Sequence, residues 1–452
     1  MEGLTINSLK KKDLLTLGFM MFSIYFGAGN LIFPPALGQA AGDHTLHAML
    51  GFMTTGIGLP LLGITAIALA GGEYVPLLHA KTWPRFATVL LVILYLIIGP
   101  LFAMPRTGAV SFEIGIRPFL SADNLALGQI IYTAIFFASS YYLALNPNKI
   151  IDRVGRMLTP ALLIVLLILF VQAFHAPLGA ILPATGAYID APFAQGFQDG
   201  YQTMDLLASI AIGALVANAV RMRGITDSRA VGAACLVSGL ITVMLMAAVY
   251  GSLAYIGATS TSILGQAENG GQILSAAVGI FFGSAGNLLL AVIIGLACLT
   301  TCCGITSSAA MFFNKLLKGR ISYERLLLFS ILFSFAASNV GLTQIIALAI
   351  PFLVTIYPLI IVFVILSLFD RFIGWRKSIY QGAMTLTLVF SLIDGLHAAG
   401  LSSEPVHALL VAYIPFYNIM MGWVCPAVIG ALVGLAVSFF QTARAAAKES
   451  QV

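Results

Sequence analysis

The chain has 452 residues, 60% of them hydrophobic and 9% charged, with a formal charge of +5. A mean hydropathy of +1.00 is too high for a soluble protein of this length to hide in its own core, so most of the surface faces lipid. The basic residues are scattered over short loops rather than gathered in a patch, which excludes a nucleic-acid surface. The five cysteines all lie in apolar runs and read as small buried hydrophobes, not as a disulfide framework or a zinc site.

Runs long enough to cross a bilayer, about 20 residues each, are expected at 13–40, 46–71, 84–112, 127–145, 157–175, 197–219, 230–256, 283–312, 322–340, 343–369, 378–397 and 407–440. The stretch "KKKDLLTLGFMMF" enters the first run without a small-residue cleavage site, so no cleaved leader is expected. All but Arg106 and Arg117 of the 22 lysines and arginines fall on one side of this twelve-span scheme. By the bias of basic residues toward the cytoplasm, both termini are expected inside. Acids mark the other side: Asp43, Asp123, Asp190, Asp199, Glu268 and Glu404. The Pro-, Gly- and Ala-rich connection over 176–196 is expected to pack over the outer face. The chain holds no Gly-x-Ser-x-Gly, His-Glu-x-x-His or phosphate-loop pattern, and no enzyme is expected.

The first run contains "IYFGAGNLIFPP", residues 24–35. One reading is a kinked helix whose glycines allow close packing. The other is a broken helix, because irregular backbone at membrane depth persists only where it is buried in protein or lines a cavity. In that case the freed carbonyls bind a cation and the N-terminus of the second half-helix holds an anionic group. The sixth run, "GYQTMDLLASIAIGALVANAVRMR", carries Asp205 inside the apolar region, where a carboxylate is costly and usually functional. Gly27 lies 15 residues after Lys12 and Asp205 lies 16 before Arg221, so both sit roughly 22–24 Å from the basic flank if helical. The eighth run carries "CLTTCCGITSSAAM", with Thr306 about 14 Å from Lys315. Its hydroxyls either bond back to their own helix or form a neutral oxygen cage suited to Na⁺.

The stretches "LGFMMFSIYFGAGNLIFPP", "GPLFAMPRTGAVSFEIG", "GYQTMDLLA" and "VTIYPLIIV" resemble those of the branched-chain amino acid:cation symporters, within the amino acid–polyamine–cation superfamily. The resemblance implies an all-α leucine-transporter-type fold with twelve transmembrane helices, helices 1 and 6 broken. Residues 1–175 would form one five-helix repeat. Residues 176–369 would hold the outer connection and the inverted second repeat, and 370–452 two extra helices and a tail. It also implies a bacterial inner-membrane carrier importing leucine, isoleucine and valine with Na⁺, with H⁺ or another neutral amino acid as alternatives, and with no obligatory protein partner.

By position, the resemblance places one Na⁺ on the carbonyls of Ser23, Phe26 and Cys303 and the hydroxyls of Thr306 and Ser307, and a second near Asn30 and Thr203. The substrate carboxylate is expected at Gly27, Ala28, Gly29 and Asn30, the ammonium at Asp205 or at carbonyls of the sixth span. The aliphatic side chain is expected among Phe102, Met104, Met204 and Leu207. The sixth span lacks the glycine pair of the more distant sodium-coupled relatives, and the arginine that follows their first break is replaced by Leu31, Ile32 and Phe33. Arg106 and Glu113, seven residues apart on one helical face, are the candidates for an outer gate; the bland alternative is an arginine snorkelling to headgroups.

Overall fold

The computed structural model describes residues 11–449 except positions 73, 146, 226, 375 and 403; among them there are helices and turns but no strand. The first span is two helices, α1 (Lys11–Tyr25) and α2 (Ala28–Ala41). The break between them is Phe26 and Gly27, with Gly27 extended at φ −122°, ψ −168°. Pro34 and Pro35 lie inside α2, so the glycines interrupt the span and the prolines do not. The second span runs from α3 (Thr45–Met53) through a π-turn into α4 (Leu59–Leu69), and α5 (Tyr74–Lys81) follows.

The third span is also irregular. Its halves α6 (Pro84–Leu96) and α7 (Ala103–Gly115) join through a π-turn at Ile97–Leu101, where Gly99 is non-helical beside Pro100. The helices α8 (Leu125–Ala144) and α9 (Pro147–His175) complete the first part. Leu127, Ile131 and Ile135 form an exposed stripe down α8, which is tolerable only against hydrocarbon.

The connection that follows lies along α2 and α3: Asp43 N–H donates to Leu182 O at 3.1 Å and Thr185 N–H to Ala40 O at 2.9 Å. The sixth span then has a short helix α10 (Pro192–Asp199), a 3₁₀ turn at Gly200–Thr203, and α11 (Asp205–Arg221). Expected at 197–219, it thus starts earlier and is interrupted. Met204 at the joint is left-handed, φ 61°, which for a bulky residue costs on the order of 1–3 kcal/mol.

The remaining helices are α12 (Ser228–Leu264), α13 (Gly270–Leu316), α14 (Tyr323–Ser338), α15 (Leu342–Leu368), α16 (Asp370–Ile373), α17 (Lys377–Ala398), α18 (Glu404–Tyr413) and α19 (Val424–Glu449). Two expectations are corrected here. The eighth helix starts at Gly270, not 283, and bends where Gly283 takes φ +64°. The run 407–440 is not one helix: Pro415, and Phe416 and Met420 at positive φ, separate α18 from α19. Among the described residues, eight helical stretches are long and apolar enough to cross a membrane, and the chain is a multi-pass membrane protein. Among the described residues, α1, α11 and α14 are 15, 17 and 16 residues long, and Pro160–His175 is a shorter apolar stretch within the 29-residue α9.

Packing is tightest where glycine replaces side chains. A Cβ at Gly38 would lie 1.9 Å from Ala254 O, and one at Gly257 2.0 Å from Pro35 O, so α2 and α12 cross with backbones in contact. The helix α13 packs on α7 and α9, α11 packs on α4, and α17 lies between α15 and α19. A buried ion pair ties α5 to α16: Lys81 Nζ is 2.8 Å from both oxygens of Asp370. Tyr380 completes it, donating to Asp370 at 3.0 Å and presenting its ring to the ammonium.

Candidate substrate and ion site

The breaks in the first and sixth spans meet, and Asn30 joins them. Its amide oxygen accepts the Gly27 N–H at 3.3 Å, capping the start of α2. Its amide nitrogen donates to Asp205 Oδ2 at 2.7 Å and also to the Tyr250 hydroxyl of α12. Tyr250 in turn donates to the same carboxylate oxygen at 3.4 Å. On the other flank the Asp205 N–H donates to Thr203 Oγ1 at 3.3 Å, and that hydroxyl donates to Gly200 O at 2.9 Å. Asn30, Thr203, Asp205 and Tyr250 are all buried, so each polar atom here must find a partner within the protein.

Arg106 enters the same chamber from α7. Its Nη1 donates to Gln202 O at 2.5 Å, the carbonyl freed by the break before Met204. Its guanidinium lies 5.2 Å from the centroid of the Phe33 ring. The arginine is 4% exposed, and its Nε has no hydrogen-bond partner among the described residues. Arg106 and Asp205 act on each other electrostatically without forming an ion pair. A Cβ at Gly29 would lie 3.0 Å from Arg106 Nη2 and 3.2 Å from Phe33 Cε2, so glycine is what lets the guanidinium reach the N-terminus of α2. Two opposite charges, buried and close but unjoined, leave unmet hydrogen-bonding capacity in a low-dielectric space.

The expected outer gate is not formed. Glu113 pairs instead with Arg117 at 2.8 Å and accepts from Asn269 and Gln272. The reason is helical: Arg117 is one turn from Glu113, whereas Arg106 is two turns away and points into the center. The hydrophobic residues divide between two cores. Phe102, Met204 and Leu207 share one, with Phe102 packed on Phe352 of α15 at 5.2 Å. Met104 belongs to the other, with Leu31 and Ile32.

The sodium ligands expected from α13 lie together on one stretch of that helix. Thr306 Oγ1 donates back to Cys302 O at 2.6 Å, which leaves its lone pairs able to accept a cation. Ser307 Oγ is buried with no hydrogen-bond partner among the described residues, the Tyr323 hydroxyl being its polar neighbor. Cys303 Sγ faces Ser140 O at 3.6 Å. The first-span break approaches α13 at Thr301, whose Oγ1 would lie 3.8 Å from a Cβ at Gly27. The helix α1, with Ser23, packs chiefly on α12 and α11, whereas α2 is the half that packs on α13.

Sequence reasoning missed Tyr250, Tyr357 and Tyr25. Tyr357 of α15 stacks on Tyr201 and has Asp205 as an electrostatic neighbor, its hydroxyl having no hydrogen-bond partner among the described residues; Tyr25 also lies in the field of Asp205. Each is a lone phenol inside an apolar run, a pattern shared with ordinary core residues.

The model of the branched-chain amino acid transport protein family matches residues 10–441. The chain belongs to that family. It is 46% identical over 434 residues to the branched-chain amino acid permease BraB of Bacillus subtilis, covering 96% of this chain and 97% of that one. It is 44% identical to the branched-chain amino acid transport system 2 carrier protein of Pseudomonas aeruginosa, covering 92% and 94%. These relatives are permeases and carriers, and the protein is a transporter rather than an enzyme. Two solved structures share the fold. Mhp1, a nucleobase-cation-symport-1 family transporter with bromovinylhydantoin bound, gives a TM-score of 0.57 at 14% identity, covering 94% of this chain and 92% of that one. MhsT in complex with L-phenylalanine gives 0.56 at 18% identity, covering 94% and 98%. The all-α membrane class expected from the sequence agrees with this likeness.

Proposed function

We propose that this chain is a symporter that imports leucine, isoleucine and valine across a bacterial inner membrane, driven by Na⁺ and working by alternating access. The observation that carries the reading is the unjoined pair Arg106 and Asp205. A zwitterion would bridge them: its carboxylate against Arg106 and the N-terminus of α2 at Ala28, Gly29 and Asn30, its ammonium against Asp205 and the phenols around it. The side chain then points toward the apolar core of Phe102, Met204 and Leu207. Arg106 thus serves the center rather than a gate. Sodium belongs at Thr306 and Ser307 with the carbonyls of Ser23, Phe26 and Cys303, and a second ion near Asn30 and Thr203. The twelve-span topology, the two inverted five-helix repeats within 1–175 and 176–369, and cytoplasmic termini complete the proposal, supported by the bias of the basic residues. Substrate binding that also organises the breaks would couple both ligands through one conformational equilibrium.

The test is uptake of labelled leucine into proteoliposomes under Na⁺ and H⁺ gradients imposed separately. A Na⁺ gradient alone should drive accumulation in the parent protein. Asp205→Asn should abolish it, and Arg106→Gln should weaken leucine binding roughly 10–100-fold, the worth of a charge-assisted hydrogen bond. Parent-like uptake by both variants would sink this placement of the substrate.

A further inference from the structure

The helix α17 carries an acid that the central site does not use. Asp394 is 0% exposed, and neither carboxylate oxygen has a hydrogen-bond partner among the described residues. The other buried acids are all held. Glu113 has Arg117, Asn269 and Gln272; Asp205 has Asn30 and Tyr250; Asp370 has Lys81 and Tyr380.

Among the described residues, Asp394 has no charged partner. On the α15 side, a Cβ at the adjacent Gly395 would meet Thr355 Oγ1 and Pro351 O, at 1.9 and 2.9 Å. The titratable groups in its field are Tyr201, from the turn before Met204, and Tyr417, from the turn between α18 and α19. The Trp423 indole neighbors the Tyr201 hydroxyl. On its own helix, His397 is engaged with Ser402 at 2.7 Å. Among the described residues no group of three metal-ligating side chains lies here. An ionised carboxylate in such a place has no countercharge and no donor already bonded to it.

Asp394 is nonetheless connected to the center. The Tyr201 ring stacks on Tyr357 with centroids 4.3 Å apart and planes at 18°, and Tyr357 lies in the field of Asp205. Tyr201 also belongs to the 3₁₀ turn that ends at Met204, immediately before Asp205. The two acids share a depth: 17 residues from Lys377 to Asp394 and 16 from Asp205 to Arg221, or about 25 Å each along a helix.

We propose that Asp394 is a second ion site of this transporter, one that binds and releases a single proton and signals its state to the sixth-span break through Tyr201. The neutral acid is the form this pocket accommodates, and it leaves the Tyr201–Tyr357 stack undisturbed. Loss of the proton creates a carboxylate that needs donors. The Tyr201 and Tyr417 hydroxyls and the Trp423 N–H are the donors around it, so ionisation pulls Tyr201 away from Tyr357 and strains the turn that positions Asp205. Transport-competent protein therefore carries the proton.

Two measurements test this on the purified full chain. Infrared spectroscopy reads the protein alone, whatever its substrate. A protonated-carboxyl C=O band should vanish in Asp394→Asn and reappear, shifted, in Asp394→Glu. Leucine uptake into proteoliposomes at a fixed Na⁺ gradient should fall in the parent by up to about tenfold per pH unit above the midpoint, as for one titrating proton. Asp394→Asn, which imitates the neutral acid, should remove that fall, and Asp394→Glu should keep it with a moved midpoint. A band untouched by both substitutions overturns the proposal, as does an Asp394→Asn profile that still follows the parent. So does loss of Na⁺ affinity without any carboxyl band, since the group would then be a cation ligand.

Discussion

The ion pair between Lys81 and Asp370 invites a quantitative test because both partners are buried and the geometry is bidentate. Their side chains are 4% and 7% exposed and Nζ lies 2.8 Å from each carboxylate oxygen. Lys81→Met keeps the length and apolar stem of the side chain but leaves Asp370 with the Tyr380 hydroxyl as its remaining named donor. Stranding one buried charge costs roughly 3–5 kcal/mol. The Tyr380 bond is kept in the variant and leaves the stranded carboxylate one donor, so the loss is expected at the low end of that range, about 3 kcal/mol. Asp370→Leu alone should destabilise comparably, because it strands the ammonium. The double variant removes both charges, and apolar replacement of a buried pair is often neutral or stabilising. Thermal unfolding of detergent-purified protein should therefore rank parent and double variant close together and both single variants clearly below. Additive losses, with the double variant lowest of all, would refute the argument that α5 and α16 are joined by this pair.

Two further outcomes follow from distances already described. Gly29→Ala places a methyl group 3.0 Å from Arg106 Nη2; leucine KM should rise several-fold while thermal stability changes little, and an unchanged KM would show that Arg106 does not work at the α2 terminus. The double variant Thr306→Ala, Ser307→Ala removes two candidate oxygen ligands. The Na⁺ concentration for half-maximal uptake should rise by about tenfold or more, about 1.4 kcal/mol, and an unaltered Na⁺ response would place the ion elsewhere.

The parts of this site that sequence could reveal were those written in unusual residues. A Gly-Ala-Gly-Asn run inside an apolar span allowed a kinked or a broken helix, and the structure interrupts the helix at Phe26 and Gly27. Asp205 stands out for the same reason. The sixth-span joint was legible in place but not in means, since the turn is made by Met204 in a left-handed conformation that no glycine announces. The phenols of Tyr250 and Tyr357 were invisible because aromatic residues are equally at home in a dry core. Arg106 was read from its distance along a helix, but the π-turn at Ile97–Leu101 precedes it and re-aims α7. The last apolar run looked continuous because hydropathy does not record backbone handedness at Phe416 and Met420.

Asn30 deserves a last consequence. Its side chain is a single planar amide, oxygen on one side and nitrogen on the other. The oxygen holds Gly27 and the nitrogen holds Asp205 and Tyr250. One torsion therefore governs three helices at once: turning the amide to free the carboxylate also uncaps α2, and neither can be released alone. A molecule built this way links the release of the first span to that of the sixth through one side chain. The resonance of that one amide group, followed by nitrogen-15 labelling, would then report the whole junction as a single rotor with two positions.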